Sequence, residues 1–279
     1  MALPDFIIEP VVRLALHEDF GIAGDVTSDA TIPQALRARY LIRAREGGVI
    51  AGLDAARLAA RLIDANLSVH VKVPDGALAE RGATIAEVEG FARSILAAER
   101  TMLNFIGRLS GVATLTRRYV EAVNGTRARI ACTRKTTPGL RALEKQAVIL
   151  GGGGPHRYAL SDAILIKDNH VAAAGSIGAA IERAKTAAGH MMAVEVEVDT
   201  FAQLEEAMRH QPHAVLLDNF NVEELGRAVA LVRGRTILEA SGGVRLDSVR
   251  AIAETGVDYI SVGALTHSAG TLDVAMDAD

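Results

Sequence analysis

The residues that could do chemistry in this chain are concentrated between positions 133 and 170. This segment holds six Lys or Arg residues and two His residues against three acids, and it surrounds four consecutive glycines at 151–154. Cations beside glycine-rich backbone are what a site needs in order to hold a small ligand with several negative charges. A solvated charged surface is the simpler interpretation, but these charges lie at the ends of apolar runs rather than along one helix face.

Elements that could position these residues are visible in the second half of the chain. Short β-rich runs cover residues 129–132, 163–166, 193–198, 214–217, 236–240 and 259–262. Helical patterns lie between or beside them at 139–150, 177–188, 201–209, 222–232 and 246–255. This alternation predicts βα units with a parallel sheet, for which a closed barrel needs eight strands. Six clear strands indicate either a hidden weak strand or an incomplete barrel.

The first half has a different pattern. It shows β-rich runs at 39–44, 48–51 and 69–73, and helical patterns at 53–66 and 92–123, the latter with a break expected near Gly107 or Gly111. The stretch PDGALAERGATIAEVEG indicates short β segments joined by glycine turns. We therefore predict an α/β fold with an N-terminal α/β sandwich domain at 1–107 and an open, parallel α/β barrel at 108–279. The C-terminal tail could pack back on the first domain.

Polar residues and glycines lie at or just past the end of every run of the second half, where parallel α/β folds bind ligands. Those past the runs are Arg134, Lys135, Lys167, Asp218, Ser241, Gly242, Gly243 and Gly263, with Ala264 beside the last of them. Glu195 and Glu197 lie near the end of the third run, and His156 and Arg157 precede the second run. Glu195 and Glu197 alternate with valines, so both are expected on one side of their strand. Of the two, Glu197 is nearer the carboxyl end.

The residue types indicate a phosphorylated sugar as one ligand. Glycines after the last two runs match a backbone phosphate site, although they could serve only as turn residues. Glu197 and Asp218 could hold sugar hydroxyls or a Mg²⁺ that bridges phosphates. Lys135, Lys167 and Glu197 could alternatively form a structural ion-pair network. The remaining cations would supply positive charge for the carboxylates of a second ligand.

Composition narrows the class of protein. The formal net charge of −4 disfavours a nucleic-acid partner, and no run approaches the roughly 20 apolar residues of a membrane span. The lone cysteine, Cys132, cannot form an intrachain disulfide and is expected to be buried. The N-terminal stretch has no basic region ahead of an apolar core, as a signal peptide would have. We expect a cytoplasmic enzyme.

Eight motifs occur in an order that resembles one known family, the quinolinate phosphoribosyltransferases. They are EDFGIAGDVTSD, ERTMLNFIGRLSGVAT, TRKTTPGLRALEKQAVILGGGGPHRYALSD, ILIKDNH, VEVEV, LLDNF, EASGGV and VDYISVGALTHSA. The resemblance implies an N-terminal α/β sandwich and an open barrel, in homodimers or in hexamers built as trimers of dimers. It implies the conversion of quinolinate and phosphoribosyl pyrophosphate, with Mg²⁺, to nicotinate mononucleotide, carbon dioxide and pyrophosphate in NAD biosynthesis.

The resemblance also implies roles for individual residues. Arg134, His156, Arg157 and Lys167 would bind quinolinate, together with Arg100 from the neighbouring subunit. Lys135, Glu197, Asp218, Ser241, Gly242, Gly243, Gly263 and Ala264 would bind phosphoribosyl pyrophosphate, and Lys135, Lys167, Glu197 and Asp218 would serve catalysis. Glu197 and Asp218 would also bind the metal.

Three alternatives remain open at this point. A paralogue of the same fold could act on another aromatic acid. An enzyme could use nicotinate, although that ligand needs fewer cations than this segment provides. A catalytically silent phosphosugar-binding protein would be stabilised by the ligand without forming product.

Overall fold

The strands of the second half form because their residues alternate between two environments. In strand β8 (Val194–Val198), the three valines are wholly buried, whereas Glu195 and Glu197 are partly accessible on the other face. This is the expected alternation of a strand with one face against helices. Glu195 and Glu197 therefore share one face of β8, as predicted.

The computed structural model describes residues 3–279.

Six strands between Arg129 and Ser261 form one sheet, which is parallel throughout. They are β6 (Arg129–Ala131), β7 (Ile164–Ile166), β8, β9 (Ala214–Asp218), β10 (Ile237–Ser241) and β11 (Tyr259–Ser261). The sheet order is β6-β11-β10-β9-β8-β7, and in the described chain β6 and β7 remain at its two edges. The prediction of six strands in an open barrel is therefore confirmed, and the incomplete barrel is the correct one of the two possibilities.

Some of the helices beside this sheet begin at side-chain caps. Thr200, before α8 (Phe201–Arg209), and Asn221, before α9 (Val222–Val232), each accept a backbone N–H three residues later. Such caps satisfy donors that the first helical turn leaves unpaired. The other helices of the second half are α5 (Arg141–Leu150), α6 (Asp168–Ala174), α7 (Ile177–Ala187), α10 (Val249–Glu254) and α11 (Ala264–His267). The short α6 and α11 were not predicted.

The first half forms an antiparallel sheet with the order β12-β1-β5-β3. Its strands are β1 (Arg37–Ala44), β3 (Ser68–Val71), β5 (Thr84–Phe91) and β12 (Val274–Ala278), while β2 (Gly48–Val49) and β4 (Leu78–Ala79) pair with each other. The helices here are α1 (Asp5–Phe20), α2 (Val26–Thr31), α3 (Leu53–Ile63) and α4 (Ala92–Ala122). Strand β12 brings the C-terminal tail back to β1, from Tyr40 opposite Ala278 to Ala44 opposite Val274.

The predicted break in the long helix is wrong, because α4 runs without interruption through both glycines. Gly107 and Gly111 instead allow the C-terminal segment to approach the helix closely. A Cβ at Gly107 would lie 2.8 Å from the Thr271 side chain, and one at Gly111 would overlap the carbonyl oxygen of Gly270. The two glycines therefore serve close packing against the C-terminal segment and do not break the helix.

Two compact units divide the chain, and neither is continuous in sequence. The first contains residues up to Arg117, Thr136–Gly152 and Leu265–Asp279; the second contains Arg118–Lys135 and Gly153–Ala264. The expected domain boundary at 107/108 stays a prediction, and it falls inside α4. No helix among residues 3–279 combines the length and the apolar character that crossing a bilayer requires.

Candidate active site

A pocket of about 340 Å³ lies in the second unit where its parallel strands end. It is lined by the ends of five strands and by two loops that carry basic residues. The lining residues are Thr133, Arg134, Lys135, His156, Arg157, Leu165, Lys167, Glu197, Leu216, Asp218, Glu239, Ser241 and Ser261. Ligands of parallel α/β folds bind at this edge of the sheet, so the pocket is the candidate active site.

Strand register explains why these side chains meet. Ile166 of β7 pairs with Val196 of β8, which places Lys167 beside Glu197 at the carboxyl edge. Ser241 of β10 pairs with Asp218 of β9. Alternation along each parallel strand then directs one polar residue per strand end to the same side.

Two arginines give the pocket a strongly positive wall. Burial, and then the nearby charge of Arg134, lower the pKa of the Arg157 guanidinium. The Nη1 atom of Arg157 donates to the Ala163 carbonyl at 3.0 Å. Within residues 3–279 its Nε is buried and has no hydrogen-bond acceptor. A buried donor without a protein acceptor is costly, and an anionic ligand in the pocket would supply one.

Acidic residues line the same pocket as these cations. The Nζ atom of Lys167 contacts Oε2 of Glu197, which is the pairing expected of a structural ion-pair network. Asp218 accepts a hydrogen bond from Nδ2 of Asn219 at 2.7 Å. Asn219 has a left-handed backbone, with φ of 57°, and its N–H donates to the Ser241 carbonyl at 2.9 Å. Asn219 therefore links Asp218, at the end of β9, to Ser241, at the end of β10, through hydrogen bonds.

A second group of acids lies deeper in the same unit, around His156. The Nε2 atom of His156 is 3.2 Å from Oε2 of Glu195 and 3.7 Å from Oε1 of Glu239. The backbone N–H of Arg157 donates to Nδ1 of the same ring at 2.9 Å. Because Nδ1 accepts this bond, the proton of the neutral imidazole is on Nε2 and points toward the acids.

These three side chains have spacings that could suit a metal ion, since their ligand atoms lie within 4.8 Å of one another. A metal ligand must offer a lone pair, however, and Nε2 carries the proton in the tautomer that Arg157 selects. The arrangement therefore favours a hydrogen-bonded cluster over a metal centre. Burial, followed by repulsion from Glu195, raises the pKa of Glu239 to about 7.

Most of the predicted site residues meet in this pocket. Arg134, Lys135, His156, Arg157, Lys167, Glu197, Asp218 and Ser241 line it. Gly242, Gly243, Gly263 and Ala264 lie beyond the ends of β10 and β11 and are not lining residues. Arg100 is exposed on α4 and does not line the pocket either. The roles expected of all these residues toward ligands stay predictions.

The glycine run at 151–154 does not line the pocket. A Cβ at Gly151 would overlap the Ala113 carbonyl, and Gly152 has φ of 94°, so these two serve packing and the turn after α5. Gly154 pairs with Ala131 as an isolated parallel bridge. Cys132 is buried, as expected.

Sequence reasoning missed Glu239 and Ser261 as lining residues. A signal was present, because Glu239 precedes Ser241 by two positions and therefore shares its face of β10. The same alternation places Glu195 and Glu197 on one face of β8.

Comparisons with known proteins match one and the same family over most of the chain. The family model described as the N-terminal domain of quinolinate phosphoribosyl transferase matches residues 25–110, and its C-terminal counterpart matches 112–277. A carboxylating nicotinate-nucleotide pyrophosphorylase of Mycobacterium leprae is 46% identical over 95% of each chain. A probable enzyme of the same name from Bacillus subtilis is 44% identical over 93% of this chain and 89% of that one.

A solved structure gives the same result for the fold. The nicotinate-nucleotide pyrophosphorylase of Francisella tularensis aligns with a TM-score of 0.96 at 38% identity, covering 100% of this chain and 98% of that one. The likeness extends over both units of the chain.

Proposed function

This chain belongs to the quinolinate phosphoribosyltransferase family, and we propose that the pocket at the carboxyl edge of its parallel sheet is the catalytic site. The reaction transfers a phosphoribosyl group from phosphoribosyl pyrophosphate to quinolinate, with loss of carbon dioxide. Its products are nicotinate mononucleotide, carbon dioxide and pyrophosphate. The enzyme is a pentosyltransferase of NAD biosynthesis.

The observation that carries the assignment of this pocket is the buried Nε of Arg157, which has no acceptor among residues 3–279. Arg157 shares the pocket with Arg134, Lys135 and Lys167, and quinolinate brings two carboxylates. A guanidinium binds a carboxylate with two parallel hydrogen bonds, which supplies orientation as well as energy. Arg134, Arg157 and Lys167 would therefore hold the acid, with His156 beside them.

Phosphoribosyl pyrophosphate would bind toward the ends of β10 and β11. Backbone N–H groups of Ser241, Gly242 and Gly243, together with Gly263 and Ala264, would hold the 5′-phosphate. Gly242 supports this placement because its φ of 94° suits an exposed backbone turn. Glu197 and Asp218 would accept hydrogen bonds from the ribose hydroxyls, while Lys135 would lie between the two ligands.

Little proton transfer accompanies the first step, in which the pyridine nitrogen attacks C1 of the ribose as pyrophosphate leaves. Positioning and electrostatics should therefore supply most of the rate enhancement. Cations around the carboxylates fix the nitrogen opposite C1, and the carboxylates of Glu197 and Asp218 favour the positive charge that develops on the ribose ring. The second step breaks the bond between C2 and its carboxylate, assisted by the positive ring nitrogen.

The donor chemistry of the pocket fits Mg²⁺, although two protein carboxylates do not complete its coordination. Lys167 and Asn219 each engage one carboxylate oxygen, on Glu197 and Asp218 respectively, which leaves a second oxygen on each that can bind a cation. Water and pyrophosphate oxygens would provide the remaining ligands. Mg²⁺, when bound, would neutralise the charge of the leaving pyrophosphate.

A second subunit would complete the site. Arg100 lies exposed on α4, and we assign it to the pocket of a neighbouring copy in a homodimer or in a trimer of dimers. This accounts for the fifth residue expected to bind quinolinate, which does not line the pocket of its own chain. The cytoplasmic location stays a prediction.

One assay tests the proposed function. Purified protein is incubated with Mg²⁺ and phosphoribosyl pyrophosphate, and with either quinolinate or nicotinate, while nicotinate mononucleotide and carbon dioxide are measured. We expect product from quinolinate alone, because a ligand with one carboxylate leaves part of the cationic wall unpaired. Product from nicotinate, or from neither acid in folded protein, would contradict the assignment of substrate.

A further inference from the structure

We propose that Glu239 is the general acid that protonates C2 of the pyridine ring after carbon dioxide has left. This inference rests on the proposed function, whose second step leaves an electron pair on C2. The bond between C2 and the carboxylate breaks, and carbon dioxide departs. The electron pair then takes the proton of the Glu239 carboxyl group, whose O–H electrons remain as a carboxylate. Solvent restores that proton before the next turnover.

Glu239 has the surroundings of a carboxyl group that keeps its proton. Its side chain is only 7% exposed, and across residues 3–279 its Oε1 is buried without a hydrogen-bond partner. The hydroxyl of Ser261, on the neighbouring strand β11, is buried beside this carboxyl group and interacts with it. Unsatisfied polar atoms in one pocket indicate a place where a ligand or water completes the hydrogen bonds.

Burial and one neighbouring charge favour the protonated form of Glu239. Glu195 on β8 repels a second negative charge, whereas His156 on the loop before β7 and the hydroxyl of Ser261 favour the carboxylate. Lys167, at the end of β7, has its ammonium in contact with Glu197 and offsets the repulsion only in part. Burial and Glu195 together raise the pKa of Glu239 to about 7. General acids work best with a pKa near the pH at which the enzyme operates.

The location matches the chemistry. Glu239 lines the same pocket as the cations that would hold the carboxylate leaving C2. Its Oε1 is 3.7 Å from His156, whose ring is bonded in turn to the backbone of Arg157. Of the other groups in the pocket, the guanidinium of an arginine does not give up its proton in a protein. The proton of Glu239 is more acidic than that of a lysine and is already inside the site.

Glu239→Gln tests the proposal, because it keeps the shape of the side chain and removes the acidic proton. The two chemical steps are separated by rapid quenching of the first turnover. We expect pyrophosphate to form at the wild-type rate, while nicotinate mononucleotide forms about 100-fold more slowly or worse, and quinolinate mononucleotide accumulates. Glu254→Gln, which removes an exposed carboxylate paired with Arg250, is the matched control and should leave both steps unchanged.

A structural role would give a different result. If Glu239 only positions His156, Glu239→Gln raises the dissociation constant of quinolinate and slows both products together, and either finding overturns the proposal. The proposal is also overturned if the variant forms pyrophosphate and nicotinate mononucleotide together, both at wild-type rates. Wild-type protein is measured alongside, so absence of any product from the wild type is a failure of the proposed function instead.

Glu195→Gln provides a second test if the first variant does not fold. Removing the neighbouring negative charge makes ionisation of Glu239 easier and lowers its pKa. If Glu239 is the proton donor, the rate of decarboxylation should fall as pH rises through about 7 in the wild type, and it should fall at a lower pH in the variant. If the decarboxylation rate falls at the same alkaline pH in both proteins, Glu239 is not the proton donor.

Discussion

Lys167 and Glu197 contact each other across neighbouring strands at the edge of the pocket, Nζ against Oε2. The lysine side chain is 47% exposed, whereas that of the glutamate is only 11% exposed. An ion pair with one accessible member can exchange partners when an anion arrives. The contact therefore holds the ammonium group in place and still allows it to turn toward a substrate carboxylate.

Lys167→Gln should weaken quinolinate binding, because it removes a charged donor and leaves Glu197 without its counterion. Hydrogen bonds to charged groups contribute about 1.5–3 kcal/mol, so the KM for quinolinate should rise about 10- to 150-fold. Steady-state kinetics with saturating phosphoribosyl pyrophosphate measure this. Lys72→Gln, in an exposed pair with Glu87, is the control. An unchanged KM and kcat in Lys167→Gln would remove Lys167 from the site.

Arg157→Ala should raise the KM for quinolinate or abolish turnover while the protein remains folded. Arg157→Lys should not restore activity, because a lysine cannot reproduce the two parallel hydrogen bonds of the guanidinium. Kinetics and circular dichroism on both variants check the prediction. Arg183→Ala, on the exposed side of α7, should behave as wild type. Normal kinetics in Arg157→Ala would contradict the assignment of the cationic wall.

Gly242→Ala should impair use of phosphoribosyl pyrophosphate. Gly242 has φ of 94°, and an added Cβ would overlap the Asn219 side chain and lie 2.8 Å from the Asn219 backbone nitrogen. The strain is worth about 1–3 kcal/mol, and the displaced loop should raise the KM for phosphoribosyl pyrophosphate about tenfold. Gly189→Ala has open space around it and serves as the control. Equal kinetics for the two variants would argue against a phosphate site on this loop.

Asp75→Asn should stabilise the protein at neutral pH and not at pH 4. Burial raises the pKa of Asp75 from 3.8 to about 6 in the folded state. The folded protein thus binds more protons than the unfolded chain between these values, and its stability falls as pH rises through them. The variant avoids a loss of about 2–3 kcal/mol above pH 6. Urea denaturation at pH 4 and pH 8 measures the difference, with the exposed Asp199→Asn as control.

Mixing two inactive variants tests the contribution of Arg100 from a neighbouring subunit. Arg100→Ala and Arg134→Ala should each be inactive alone. If they exchange subunits freely as dimers, half of the dimers are hybrids with one intact site, which should restore about a quarter of the wild-type activity. The measurement is activity after mixing and equilibration. No recovery, with subunit exchange confirmed by mass, would place Arg100 outside the neighbour's site.

Strand positions in the second half could be predicted because each strand is a short apolar run with polar residues beyond its end. β8 is the clearest case, since three buried valines alternate with two glutamates. The short α6 and α11 lack the apolar periodicity that identifies a helix, and the strand β12 depends on pairing with a segment more than 200 residues away. Local sequence does not encode such a partner.

The site was predictable to the extent that charge and position in the strand suffice. Lys167 is predicted from its place after an apolar run, and Glu197 from its alternation with valines near the carboxyl end of another run. The state of His156 was not, because its tautomer depends on a backbone N–H and on two acids from other strands. Gly107 and Gly111 show the same limit, since a glycine that ends a helix and one that admits a neighbouring segment look alike in sequence.

The pairing of β12 with β1 has a consequence for synthesis on the ribosome. The first strand of the N-terminal sheet is translated more than 200 residues before its partner, Val274–Ala278. Until those residues leave the ribosomal exit tunnel, one edge of β1 is exposed, and exposed edges invite pairing with other nascent chains. A nascent chain that stops before Val274 would therefore contain all six strands of the parallel sheet, while one edge of β1 still lacks its partner strand.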